Sequence, residues 1–250
     1  MADAPPPGPF VPPADPRIRI WRYMDFTKFV SLLENQGLFF ARSTHLDDPF
    51  EGSYSRANER LRPIVYEKIE VSAEVLAQMF KSQSDFGRWN RQWVMVNSWH
   101  MNEGESAAMW KLYAKTDEAV CIQSTYERLR RCLDDTVYIS VVQYIDYEVD
   151  WMPEGNVFYP FLHKRKSFEH ERELRAIIWQ LPVKDEQIDR GAVPNDAGVW
   201  KQVELGELIE AVYVAPAAPS WFRSLVQGVS VRYGLGREVV QSALDREPFY

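Results

Sequence analysis

The sequence predicts a single α+β domain with a central, mostly antiparallel sheet flanked by short helices. Three observations lead there. Strand-like and helix-like segments are mixed without a regular βαβ rhythm, which disfavours a doubly wound parallel sheet. Neither GxGxxG nor GxxxxGK[ST] occurs, so no nucleotide-binding βαβ fingerprint is present. The 250 residues, 46% hydrophobic and 26% charged, suit one large ordinary globular domain.

Residues 1–16 hold seven of the 16 prolines and read as an extended, disordered tail, with ordered structure expected from about Ile18. Ile18, Ile20 and Trp21 predict a first strand. Asp25 or Thr27 can cap a helix that runs to Gln36 on Phe29, Val30, Leu32 and Leu33, with Gly37 as a left-handed cap. Leu38–Ala41 is a second strand, and Tyr54–Trp89 is mostly helical. Trp93–His100 is a third strand, Ser106 caps a short helix, and Ala119–Ser124 is a fourth strand. A helix over Tyr126–Leu133 leads to a strand-rich stretch ending in the alternating acids Asp146, Glu148 and Asp150. Glu173–Gln180 is a further strand, and Val183–Gly198 a surface loop between strands. Strand "LIEAVYVAP", a helix over Ser220–Tyr233 and a last strand near Glu238–Gln241 close the domain.

Lys and Arg total 29 against 36 Asp and Glu, a formal charge of -7. That argues against a protein that coats nucleic acid through many phosphate contacts, but not against one local basic groove. Cys121 and Cys132 are too few for a disulfide framework and lack a CxxC partner, so reduced thiols and a cytoplasmic location are expected. No apolar run approaches the ~20 residues that cross a bilayer, and the N-terminus does not read as a secretory signal, so no membrane partner is expected.

Three segments concentrate chemistry. "RSTHLDDPFEG" places Arg42, Ser43, His45, Asp47, Asp48 and Glu51 within ten residues after a strand. Asp47 or Asp48 can cap a helix from Pro49, while the grouping of Arg42, His45 and Glu51 points to a functional loop. "HKRKSFEHERELRAIIW" carries five cations, Lys164, Arg165, Lys166, Arg172 and Arg175, against Glu169, Glu171 and Glu173 between Lys164 and Arg175. If Glu171, Glu173 and Arg175 start a strand, they share one face. The segment is then either a salt-bridged junction or an anion-facing patch beside a catalytic carboxylate. "SWHMNEGESAAMWKLYA" sets Trp110 and Tyr113 one helical turn apart, as core or as walls for a planar ligand. No HExxH and no GxSxG occur, so neither a zinc helix nor a serine nucleophile is indicated, and no metal is expected.

In order, these residues resemble a bacterial family known as domain of unknown function 2971. Its "RY" in the first strand is met by Arg22 and Tyr23, and its "NDPFE" loop by Asp47–Glu51, with Asp47 where the family has Asn. Its "W..Y" element is met by Trp110 and Tyr113, and its Lys with "E.E.R" by Lys164 or Lys166 with Glu171, Glu173 and Arg175. The C-terminal "LIEAVYVAPAAPSWFRSLVQ" also looks like the family's end, so the resemblance spans Ile18 to about Leu244.

More distantly, the order of elements is similar to ADP-ribosyltransferases, closest to DNA-modifying toxins and RNA 2′-phosphotransferases. That likeness implies a split sheet and NAD as substrate. Glu173, or else Glu171, would be the catalytic carboxylate. Arg22 would clamp the pyrophosphate, and Tyr23, Trp110 or Tyr113 would stack on nicotinamide or adenine. Ser43 or His45 would bond a ribose hydroxyl, and Lys164, Arg165 and Arg175 would face phosphates. It further implies a nucleic-acid or protein acceptor, in a bacterial toxin or defence setting. Two alternatives stand beside it. One is a non-catalytic nucleotide- or protein-binding module. The other is a metal-dependent nuclease built on His45, Asp47, Asp48 and Glu51.

Overall fold

The computed structural model describes residues 8–113 and 116–245. Its first half comprises β1 (Arg19–Asp25), α1 (Phe26–Glu34), β2 (Gly37–Arg42), α2 (Arg56–Val65), α3 (Ala73–Asn90), β3 (Val94–Met101), α4 (Ala107–Tyr113), β4 (Ala119–Thr125) and α5 (Tyr126–Cys132). The second half comprises β5 (Val137–Val141), β6 (Gln143–Ile145), α6 (Tyr159–Leu162), β7 (His163–Arg165), β8 (Glu173–Trp179), β9 (Val183–Lys184), β10 (Gln187–Ile188), β11 (Gly198–Gln202), α7 (Leu205–Leu208), β12 (Ala211–Val214), α8 (Ser220–Arg232) and β13 (Val239–Gln241). Nine strands make one open sheet, antiparallel except where β12 meets β13, so the fold is α+β as the sequence predicts.

Strand β3 is the spine of that sheet. One of its edges pairs with β8 from Val94↔Trp179 to His100↔Glu173, with β5 beyond β8. The other edge is shared. Strand β2 takes its start, at Arg42↔Met95 and Ala41↔Val96, and β1 takes its end, at Trp21↔His100 and Ile20↔Met101. Both strands cannot continue toward the same residues, so they diverge, carrying β11 on one arm and β4, β12 and β13 on the other. A β3 backbone freed by this split needs other partners. Arg22 Nη1 donates to the Ser98 carbonyl at 2.8 Å, and across the gap Asn97 Nδ2 donates to the Phe39 carbonyl at 2.9 Å.

Period-two alternation sorts the two faces. Leu174 and Ala176 of β8 enter the main core with Phe29, Leu32, Leu33 and Phe222 of the helices. On the opposite face Ile177 joins Val94, Val96, Phe158, Phe161 and Leu162 in a smaller apolar cluster. Glu173 and Arg175 share that second face, and it is there that polar residues gather. Among the described residues, no helix is long and apolar enough to cross a membrane.

Several local expectations are corrected. Asp25 does cap α1, accepting from Lys28 N at 2.8 Å, but Gln36 (φ 45°), not Gly37, takes the left-handed turn. Gly37 opens β2 instead, where a Cβ would stand 2.6 Å from the Lys201 carbonyl oxygen, so the approach of β11 requires glycine. The Val183–Gly198 excursion contains the β9–β10 hairpin, with Asp185 and Glu186 both at positive φ as a tight two-residue turn demands. Asp146 and Asp150 form a turn rather than a strand face, accepting from Glu148 N and Asp146 N at 2.9 Å. Residues 8–16 are docked, so order begins before Ile18. Phe10 stacks on Tyr138 at 4.7 Å, and Val141 N donates to the Val11 carbonyl at 2.8 Å. Residues 1–7 of the expected tail lie outside the described residues.

Candidate functional site

Glu173 and Arg175 leave β8 on one face, two residues apart. Arg175 Nε and Nη2 grip the two oxygens of Glu173 at 2.6 and 2.9 Å in a bidentate pair. The same guanidinium reaches Glu51 Oε2 at 2.5 Å and the Phe161 carbonyl at 2.8 Å. Glu51 comes from the loop after β2. Lys164 comes from β7 and places Nζ 2.6 Å from Glu171, 3.2 Å from Glu51 and 3.6 Å from Glu173. Glu171 is not on the strand with Glu173, as the period-two reading had it. It ends a 3-10 turn, and Arg172 (φ 41°) bends the chain so that Glu171 still faces Lys164. Three carboxylates and two cations thus meet, tying the loop after β2 to the stretch from β7 to β8.

Neighbouring polar groups fix this arrangement. The Tyr144 hydroxyl accepts from Glu173 N at 2.9 Å. His100 Nδ1 lies 2.6 Å from the Glu171 carbonyl, which can only accept, so Nδ1 carries the proton. Burial holds His100 below the usual histidine range, and its Nε2 is buried without a partner.

The electrostatics separate the carboxylates. Burial works against ionisation of Glu173, but Arg175 and then Lys164 overcome it and hold the group at about 2. Glu171 moves the other way: burial raises it above the usual range, Glu173 and Glu51 add to the rise, and Lys164 offsets only part. Its side chain is 11% exposed, against 4% for Glu51 and Glu173, so Glu171 is the outermost of the three. Burial also lowers Lys164, yet Glu173 and Glu51 more than restore its charge and raise it overall. Arg22, in the split, is lowered to about 10 by burial, with Tyr113 and Glu173 resisting the fall. Tyr113, 43% exposed at the end of α4, is pushed up to about 12 by burial and by Glu171 and Glu173.

Arg22, Tyr113, Lys164, Glu171, Glu173 and Arg175 therefore share one neighbourhood, and other expected residues do not join it. Tyr23 and Trp110 are core: their rings pack edge to face at 5.0 Å, Tyr23 accepts from Ser106 N, and Trp110 Nε1 donates to Glu105. Neither offers a free face for nicotinamide or adenine. Ser43 donates to the Arg91 carbonyl at 2.6 Å at the far end of β3, about 17 Å along the strand from His100 and Glu173. His45 is exposed, beside the Thr44 hydroxyl. Arg42 pairs with Asp196. Arg165 binds Asp48 at 2.8 and 3.2 Å beneath Phe50, so neither it nor Asp48 is free. Asp48 starts a turn, not a helix, accepting from Phe50 N at 3.1 Å. Hence Arg42, His45 and Glu51 are scattered, and the four expected nuclease ligands do not converge. Arg175, expected to face a phosphate, has its guanidinium engaged by protein.

Glu51, His100 and Tyr144 belong to this neighbourhood without a sequence signal for it. A repeating spacing exposes i, i+2 partners, but not partners that arrive from a loop some 120 residues away. Compared with known proteins, the chain matches no family model, no curated protein and no solved structure.

Proposed function

We propose that the chain is an ADP-ribosyltransferase-like enzyme that uses NAD, as the resemblance to domain of unknown function 2971 and, further off, to ADP-ribosyltransferases implies. The observation that carries this reading is the position of Glu171. It is a carboxylate of raised pKa, bonded to Lys164, outermost in a charged cluster beside a split sheet. Cleaving NAD breaks the bond from the ribose C1′ to nicotinamide, which leaves with the electron pair, and the ribose passes through a cationic state. A carboxylate beside C1′ stabilises that cation and takes the proton of the acceptor as its nucleophilic atom bonds to C1′. Glu171 is the residue for this step. Glu173, held on both oxygens by Arg175, acts as a positioning residue. Arg22 faces the pyrophosphate with the guanidinium nitrogens not engaged by Ser98, and Tyr113 supplies a partly exposed ring. The acceptor is a nucleic acid or a protein, the setting cytoplasmic in a bacterial toxin or defence system, and no metal takes part.

The test is nicotinamide release from NAD by chromatography, with binding by calorimetry. Wild type should bind NAD and release nicotinamide, and Glu171→Gln should bind but turn over at least a hundredfold more slowly, in line with loss of acid–base catalysis. A wild type that neither binds nor cleaves NAD sinks the proposal.

A second reading, a non-catalytic binding module, is favoured by a different observation: the five cluster residues are already ion-paired with one another. There Glu171→Gln and Glu173→Gln should leave ligand binding and the cellular phenotype intact.

A further inference from the structure

At the other end of β3 from the ion cluster, α3 presents Phe86 and Trp89, and a single 3-10 turn then brings in Trp93. Their rings follow one another with centroids 6.0 Å apart at each step. Arg190, from the excursion between β10 and β11, lays its guanidinium 4.5 Å from the Trp89 ring and 5.2 Å from the Phe86 ring. An open groove of about 690 Å³ lies here, lined by Ser82, Gln83, Asp85, Phe86, Trp89 and Arg190.

Two independent features indicate what this groove takes. First, a donor on the lining has no acceptor: Trp89 Nε1 is buried without a hydrogen-bond partner. Arg190 is exposed and, among the described residues, is in contact with rings rather than with a carboxylate. Second, the charges at the groove leave one cation over: Asp85 is paired with Arg88 at 2.9 Å, so Arg190 stands on the lining without a carboxylate partner among the described residues. Aromatic faces, an unengaged indole N–H and a free guanidinium together select a planar ligand that offers an acceptor and a negative charge. The geometry points to a nucleotide-binding groove, in which a base stacks on Phe86 and Trp89, Ser82 and Gln83 meet its edge, and Arg190 holds a phosphate. A proline-rich peptide would also pack on indole rings, but it brings no anion for Arg190.

The groove does not depend on the transferase reading. It adjoins Val94, whereas the cluster lies across from His100 at the opposite end of the strand. The nucleotide can be free or part of a single strand, and the experiment separates these sources. Fluorescence anisotropy of labelled oligo(dT) and oligo(U) at low salt should show binding by the full chain. Trp89→Ala should weaken it by about five- to a hundredfold, as loss of one stacked base does, and Trp89→Phe should retain most of it. Arg190→Gln should weaken binding and flatten the dependence of log affinity on log salt by about 0.7. Competition by a mononucleotide at the same concentration as by the oligomer assigns the site to a free nucleotide. Competition by oligomer alone assigns it to a single strand. No binding of either, binding that Trp89→Ala and Arg190→Gln leave unchanged, or capture of a proline-rich peptide in place of nucleotides overturns the proposal.

Discussion

The ion cluster and the aromatic groove occupy opposite ends of β3 and treat their polar groups in opposite ways. In the cluster, Lys164 lies within 3.6 Å of three carboxylates and Arg175 pairs with two of them, and Arg175 is 1% exposed. In the groove, Arg190 is exposed and packs on rings, and Trp89 Nε1 lacks an acceptor. A charge removed from water needs a partner in the protein, so each buried charge of the cluster is accounted for by the others. A guanidinium and an indole N–H left without a protein acceptor on a groove lining are open to a partner from outside. On the proposed readings the cluster would act mainly through Glu171 at its margin, and the groove through Phe86, Trp89 and Arg190.

The largest effect should come from removing the centre of the cluster. Arg175→Met leaves Glu173 and Glu51 buried beside Lys164 alone, and breaking a buried pair in this way costs about 3–5 kcal/mol. Urea denaturation measures the loss. Adding Glu173→Leu to Arg175→Met should restore part of the stability, because it removes one stranded charge. A loss below about 1 kcal/mol for Arg175→Met would mean that water already shares the cluster, and its contrast with the groove would disappear.

A smaller effect should appear as pH dependence, and Glu173 and Glu171 should pull in opposite directions. The folded pKa of Glu173 is depressed to about 2 from an ordinary 4.5, so its contribution is present above pH 4.5 and is lost as pH falls toward 2. The folded pKa of Glu171 is raised, so its contribution is present below pH 4.5 and is lost as pH rises through the folded value. Thermal melts between about pH 3 and 8 should therefore show a flatter acid limb in Glu173→Gln. In Glu171→Gln they should show a smaller decline above pH 4.5 than in wild type. Superimposable profiles for Glu171→Gln and wild type would remove the electrostatic distinction on which its proposed role rests.

The two regions also differ in how far the sequence disclosed them. Alternation and helical spacing located most strands and helices, and the E.E.R pattern led to Glu173 and Arg175 because a strand sets i and i+2 side by side. That pattern could not show Arg172 turning left-handed, nor Glu51 arriving from the loop after β2, since both depend on tertiary contacts. Tyr23 and Trp110 carried no mark of which side they would face, and packing against each other placed them in the core. Strand β11 was missed because it is a short edge strand behind a loop-like composition, evident only once Gly37 and Gly198 let β2 and β11 approach. The groove was less legible still. Trp89 read as the end of a helical stretch, and the cation above it lies 101 positions on, at Arg190.

The smallest expected change in stability bears most directly on what the groove is for. Arg190 is exposed and makes its contacts with the faces of Trp89 and Phe86. Arg190→Gln should therefore shift unfolding by no more than about 0.5 kcal/mol, as surface substitutions do. Were the stacked guanidinium there to support α3, its removal would lower the urea midpoint and leave the salt dependence of oligonucleotide binding untouched. Were it there to hold a phosphate, the midpoint would stay and the salt dependence would flatten. Both quantities come from one variant, and a different one of them changes under each role. A buried pair such as Glu173–Arg175 offers no comparable separation, because there every change of charge is also a change of packing.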